Sequence, residues 1–157
     1  MKKNNHIDNK GNIQMVDIGN KPSTKRKAIA IGSIYLNKEA LKSINDGLNK
    51  KGNVLVVAQI AGIQAAKNTS SLIPLTHSLN IVSVNIEFNV LSDKIECTSE
   101  VNCDGKTGVE IEALCAVQIS LLTIYDMCKY IDKNMTISEV HLIFKEGGKS
   151  GQFKRGQ

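Results

Sequence analysis

Polar and apolar residues alternate most regularly between Val82 and Val90, where Val82, Val84, Ile86, Phe88 and Val90 are interleaved with Ser83, Asn85, Glu87 and Asn89. A period of two predicts a strand with one buried face. Ser92-Asp93 then supplies a turn, and KIECTSEVNC (94–103) continues as an antiparallel partner. RKAIAIGSIYL (26–36), rich in Ile and small residues, predicts a first strand. EVHLIFK (139–145), with Val140, Leu142 and Phe144 in alternation, predicts a last one. The intervening segments follow a helical period. Ala40, Leu41, Ile44 and Leu48 place a helix over 37–50, with Asn37 as its N-cap. Residues 52–72 are apolar almost all round and predict a buried helix that Pro74 stops. A second apolar helix opens at Thr107, where Thr107 and Glu110 fit a capping box, and runs to about Lys133.

The order strand, helix, strand, strand, helix, strand is the α+β, ferredoxin-like βαββαβ pattern, an antiparallel sheet with helices packed on one face. The 157 residues suit one domain, with 1–24 as an irregular arm and 146–157 as a flexible Gly-rich tail. With six aromatics and no Trp, the core must come from Ile, Val, Leu and Ala. No run of apolar residues reaches the roughly 18 of a membrane span, and no apolar segment follows the N-terminal lysines, so no membrane partner and a cytoplasmic setting are expected. The four cysteines fit no zinc or haem spacing and read as reduced, buried thiols.

A net charge of +5 suits an anionic partner such as a nucleotide, a phosphate ester or a nucleic acid, and equally serves solubility. Nucleic acid fits poorly. Ser83, Asn85, Glu87, Asn89, Glu96, Thr98 and Glu100 would share one sheet face, which is acidic and lacks the aromatics on which bases stack. The basic set Lys21, Arg26, Lys51, Lys67, Lys129, Lys145 and Lys149 can converge on a polyphosphate, though scattered solvated lysines look the same. Lys67, near a helix C-terminus, has a favourable dipole interaction as its plainer explanation. KEGGKSGQF (145–153) ends like a Walker A motif but fails it: Ile143 stands where Gly is needed, and no helix can follow.

The long second helix carries the sharper candidates. Asp126 and Lys129, three apart, share a face in a turn expected to be half buried, where pairing shifts pKa values and prepares proton transfer. Their plainer reading is a surface ion pair. Glu110 is explained by the capping box. Glu112 projects about 160° away from Glu110 but shares a face with Asp126, roughly 21 Å along the axis. One pocket on one helix cannot use both ends, so a site that does must be completed by another element or another subunit. His77, in the Pro-containing SLIPLTHSL loop, can give or take a proton near neutral pH or simply be exposed.

HIDNKGNIQMVDIGNKPSTKR, KKGNVLVVAQIAGIQAAKNTSSLIPLTHSL, KTGVEIEAL, LTIYDMCK and FKEGGKSG occur in order from His6 to Gly151. Together they resemble the cyclic pyranopterin monophosphate synthase family, the molybdenum-cofactor biosynthesis protein C family. Thr76 stands where that family has Cys, Ile111 where it has Met, and Lys27 where an acidic residue is usual. The resemblance implies a ferredoxin-like lyase that converts 3′,8-cyclo-7,8-dihydroguanosine 5′-triphosphate to cyclic pyranopterin monophosphate and pyrophosphate. It implies a homohexamer, a trimer of dimers with sites at subunit interfaces, and no cofactor. By the resemblance Asp126 is a catalytic acid or base, Lys129 its partner and Lys51 a second proton-transfer or phosphate group. Leu75, Thr76, His77, Ile111 and Glu112, with Glu110, line the substrate site, and Arg26, Lys67, Lys145 and Lys149 bind the triphosphate. A divalent metal can assist pyrophosphate departure, but the sequence shows no ligand cluster, and no protein-bound metal is expected. The competing class is a non-enzymatic nucleotide- or anion-binding regulatory module on the same fold.

Overall fold

The computed structural model describes residues 6–156. Its elements are β1 (Thr24–Tyr35), α1 (Lys38–Asn45), α2 (Val54–Lys67), α3 (Thr69–Leu72), β2 (Asn80–Val90), β3 (Lys94–Gly105), α4 (Glu110–Cys128), β4 (Thr136–Glu146) and β5 (Phe153–Lys154). The sheet order is β2-β3-β1-β4-β5 and every neighbouring pair is antiparallel. β1 and β2 are therefore parallel, separated by β3 and joined through α2, which is the expected ferredoxin-like arrangement with β5 added at one edge. α4 packs over β1, β3 and β4, and α2 packs against α4 and β2.

Small residues set the spacing of these layers. A Cβ on Gly32 would sit 2.8 Å from Val117 Cγ1 and 3.0 Å from Leu121 Cδ1, so the glycine lets α4 lie directly on β1. A Cβ on Gly62 would overlap Ser120 Oγ and Ile86 Cδ1 and stand 2.9 Å from the Ala116 carbonyl, so α2 and α4 touch through their backbones. Two buried serines fasten the same helix. Ser99 Oγ donates to the Ala113 carbonyl at 2.7 Å and Ser120 Oγ to the Ala58 carbonyl at 3.0 Å. Around them Ile34, Ile86, Ile95, Val101, Leu121 and Ile124 close an aliphatic core, consistent with the near absence of aromatics.

Several expectations are corrected. Val82 is exposed, because a β-bulge between Ile81 and Ser83 shifts the register and turns it out of the core while Ile81 packs in. α2 is buried on one side only, through Val54, Ala58, Gly62, Ala65 and Ala66, leaving Val56, Val57 and Ile60 in solvent. It ends at Lys67, because Asn68 leaves helical geometry, and α3 is a separate turn before Pro74. Asn37 does cap α1, accepting from the Ala40 N–H at 2.8 Å. The Thr107–Glu110 capping box does not form: α4 starts at Glu110 after Val109, with no side-chain cap, and stops at Cys128 rather than near Lys133. α4 has 19 residues and is apolar enough by length and composition to cross a membrane, contrary to the sequence expectation, but ten of its residues are buried within the domain. The Gly-rich tail folds back, pairing β5 with Phe144 and Lys145 of β4. All four cysteines are buried and unpaired, and burial pushes the Cys97 thiol up to about 12.

Candidate active site

Two sets of the candidate residues lie at opposite ends of α4. At its C-terminal end Asp126 is clamped by two ammonium groups. Lys129 Nζ stands 2.7 Å from Oδ1, and Lys51 Nζ stands 2.9 Å from Oδ2 while also donating to the Asp126 carbonyl at 2.8 Å. Buried Asn49 holds the Lys51 loop in place: its Nδ2 donates to the Met127 carbonyl at 3.2 Å, and its Oδ1 accepts from the Lys51 N–H at 2.9 Å. The expected half-burial is corrected, since the Asp126 side chain is 55% exposed and that of Lys129 53%. The pairing also shifts both groups away from neutrality. Lys129 first, then Lys51, lowers the Asp126 carboxyl to about 2, and Asp126 raises Lys129.

At the N-terminal end a cavity of about 550 Å³ gathers Leu75, Thr76, His77, Glu110, Ile111 and Glu112 with His6, Val16, Ile18 and Lys21 of the N-terminal arm. Thr76 Oγ1 donates to the Ile73 carbonyl at 2.9 Å, which secures the turn that presents His77. Glu112 is 4% exposed, and burial, helped by the nearby Glu110, raises its pKa. The two glutamates lie about 160° apart on an ideal helix, yet both line this cavity. Glu110 opens the helix and folds its carboxylate back over Gly108, where a Cβ would overlap it.

A second cavity of about 640 Å³ adjoins the first and shares Lys21, Thr107, Gly108 and Glu110 with it. The rest of its wall brings in Arg26, Lys106 and Lys149, with Pro22, Thr24 and Gly148 and Ser150 of the tail. Arg26 Nε donates to the Gly105 carbonyl at 3.3 Å, and its guanidinium lies so close under Gly148 that a Cβ there would overlap it. Lys145 pairs with Glu110 at 3.3 Å and donates to Ser150 Oγ at 3.0 Å, tying β4, α4 and the tail together. The chemistry on offer is a hydrogen-bond-accepting, proton-exchanging pocket beside an anion pocket.

Lys67 joins neither group; it is exposed at the end of α2. Lys27, on the open sheet face, is paired with Glu100 at 2.7 Å. Lys106, His6, Val16 and Ile18 were not singled out from sequence, and Lys21 stood only among the general basic set. The one signal for the arm was the segment HIDNKGNIQMVDIGNKPSTKR in the family resemblance, since 1–24 shows little periodicity of its own. Among the described residues no group of three His, Cys, Asp or Glu side chains converges as a metal site.

The sequence model of the MoaC family matches residues 15–148. A cyclic pyranopterin monophosphate synthase of Thermoanaerobacter pseudethanolicus is 53% identical over 152 residues, covering 96% of each chain. One from Clostridium botulinum (strain Alaska E43 / Type E3) is 56% identical over 95% of each chain. One from Novosphingobium aromaticivorans is 50% identical over 97% of each.

Proposed function

The chain belongs to the MoaC family, and from that premise we propose that it is a lyase of molybdenum-cofactor biosynthesis, converting 3′,8-cyclo-7,8-dihydroguanosine 5′-triphosphate to cyclic pyranopterin monophosphate and pyrophosphate. The observation that carries this reading in the molecule is the pair of adjoining cavities, one built around Glu112 and His77 and the other around Arg26, Lys106 and Lys149. A carboxylate accepts hydrogen bonds from a guanine-like N–H edge, and clustered cations match a triphosphate.

The reaction opens a five-membered ring, builds a pyran and closes a cyclic phosphate, so it moves protons at each step. Asp126, Lys129 and Lys51 act as the proton-transfer group. Leu75, Thr76, His77, Ile111, Glu112 and Glu110 form the ring pocket, and Arg26, Lys145 and Lys149 bind phosphate. Lys67 reaches the triphosphate of a neighbouring subunit. Roughly 21 Å of helix separates Glu112 from Asp126, so one substrate meets both only if a second protomer supplies one end. The family resemblance supplies the form of that assembly, a homohexamer built as a trimer of dimers with sites at subunit interfaces. The exposed Val56, Val57, Ile60 and Leu122 on α2 and α4 support burial of that face. The whole chain, 1–157, acts as one catalytic domain. Buried, unpaired cysteines suit a reducing cytoplasm.

The test is to supply the purified protein with the cyclic dihydroguanosine triphosphate and to follow pyrophosphate and the fluorescent oxidation product of the pterin. Stoichiometric release of both is expected. Binding of that substrate, or of GTP or ATP, without turnover would instead mark an anion-binding regulatory module.

A further inference from the structure

We propose that Asn49 is a positioning residue for the reaction: its buried amide sets the Lys51 ammonium against Asp126 by binding the Lys51 backbone on one side and the end of α4 on the other. The inference rests on the proton-transfer role given above to Asp126, Lys129 and Lys51, and it adds the group that brings Lys51 to the other two.

Lys51 lies in the connection between α1 and α2, 46–53, and stands 75 residues from Asp126 in the chain. Its side chain is 42% exposed, and an exposed ion pair adds too little to hold a flexible four-carbon stem in one place. Its position therefore depends on the backbone beneath it. Asn49, Lys50, Lys51 and Gly52 form a turn closed by the Gly52 N–H, which donates to the Asn49 carbonyl at 3.0 Å. Asn49 Oδ1 accepts from the Lys51 N–H at 2.9 Å, the ordinary use of an asparagine in a turn. A turn asks nothing more of that side chain. Yet Asn49 is 7% exposed, and its amide nitrogen donates to the Met127 carbonyl at 3.2 Å and to Cys128 Sγ at 3.6 Å.

The end of α4 leaves those acceptors open. The Lys129 N–H donates to the Tyr125 carbonyl, and those of Ile131 and Asp132 both donate to that of Cys128. Among the described residues, the intervening carbonyls of Asp126 and Met127 are met by side chains, Lys51 Nζ at 2.8 Å and Asn49 Nδ2 at 3.2 Å. Neighbouring carbonyls thus hold the turn at neighbouring points, and the ammonium that reaches the first also lies 2.9 Å from Asp126 Oδ2. A further tether, from the Lys50 N–H to Tyr130 Oη at 3.0 Å, is exposed, and water can take its place. Asn49 has no such substitute. Without its amide the buried Met127 carbonyl is unpaired, so the turn shifts to let water in and carries Lys51 away from Asp126.

The experiment compares unaltered protein, Asn49→Ala, Asn49→Ser, Lys51→Met and the double variant of Asn49→Ala with Lys51→Met. It measures the single-turnover rate on the cyclic dihydroguanosine triphosphate, the half-saturating substrate concentration, and the carbon-13 titration of the Asp126 carboxyl in the free protein. Asn49→Ala should slow turnover about tenfold or more and leave the half-saturating concentration within about twofold. The Asp126 titration should move up from about 2, because Lys51 is the second of the two cations that depress it. Asn49→Ser keeps an acceptor for the Lys51 N–H but is too short to reach α4, so it should show the same loss; it decides the matter if Asn49→Ala does not fold. On top of Lys51→Met, Asn49→Ala should cost less than about twofold more, since it acts through Lys51. A merely structural asparagine would lower the melting temperature, leave the Asp126 titration in place, and multiply its cost with that of Lys51→Met. Either of the last two results overturns the proposal, as does unaltered turnover in Asn49→Ser. Failure of the functional reading looks different: unaltered protein would release no pyrophosphate from the substrate, and the Asp126 titration would still decide whether Asn49 places Lys51.

Discussion

Asp126 is held by two ammonium groups, which keep its carboxyl ionised, as a base, in the free protein. Its carboxyl is depressed to about 2, so its pairing is complete above the ordinary carboxylate value and is lost only as pH falls through about 2. In the free protein, carbon-13 shifts of the Asp126 carboxylate should therefore stay flat between pH 4 and 8. In Lys129→Met a titration should move up toward the ordinary range, because Lys129 is the larger cause of the shift. Both Lys129→Met and Lys51→Met should cut turnover by at least about a hundredfold while barely changing the melting temperature, since exposed ion pairs add little stability. Normal turnover in either variant would remove the pair from the chemistry. Glu112 behaves oppositely. Burial raises its folded pKa, so the fold favours its protonated form; that stability is full at low pH and is lost as pH rises through the folded value. Glu112→Gln should therefore melt higher than the unaltered protein at pH 7, lose that advantage as pH falls toward 4, and bind substrate more weakly. A lower melting temperature at pH 7 would show that the buried charge is compensated.

Within the elements, close approach decides more than propensity. Gly62 lies in the middle of α2, where alanine is normally the better helix former. Here the added methyl meets Ser120, Ile86 and the Ala116 carbonyl at once. Gly62→Ala should destabilise by about 1–3 kcal/mol in urea titration, the ordinary cost of overpacking. Gly148, at φ +73°, lies over the Arg26 guanidinium. Gly148→Ala should weaken pyrophosphate binding with little loss of stability, because the tail gives way and takes Arg26 with it. Such contacts also mark what the sequence could and could not tell. The alternation from Val84 to Val90 and the Asn37 cap were legible because their causes are local. The outward turn of Val82 was not, since a bulge shows only against a partner strand. The Asp126–Lys129 pair was legible from its spacing of three residues, whereas Lys51 stands 75 residues away: it entered as one of a scattered basic set, and only the family resemblance gave it a proton-transfer role. Lys21 and Lys106 line one cavity because the β1–β3 register sets the arm beside the loop before α4, so neither segment revealed that cavity alone.

At the scale of the whole molecule, α4 imposes the decisive constraint. The two residues proposed to act in the reaction, Glu112 and Asp126, lie on one rigid rod roughly 21 Å apart. A ring system small enough for the cavity at one end cannot simultaneously touch the other end of the same rod. If the two ends act on one substrate, each site draws them from different protomers, and mutations at the two ends become complementary. Asp126→Asn and Glu112→Gln should each be nearly inactive alone. Subunits exchanged between them in equal proportion should form sites at random. About a quarter of those sites receive both unaltered residues, whichever interface joins them, so activity should return to about a quarter of the unaltered value. Recovery must require subunit exchange: simple mixing under conditions that lock the oligomer should give none. If exchange is confirmed by mass spectrometry and activity stays at background, both ends serve a site within one chain or only one end is used. The composite-site reading would then fail even though the fold and the family stand.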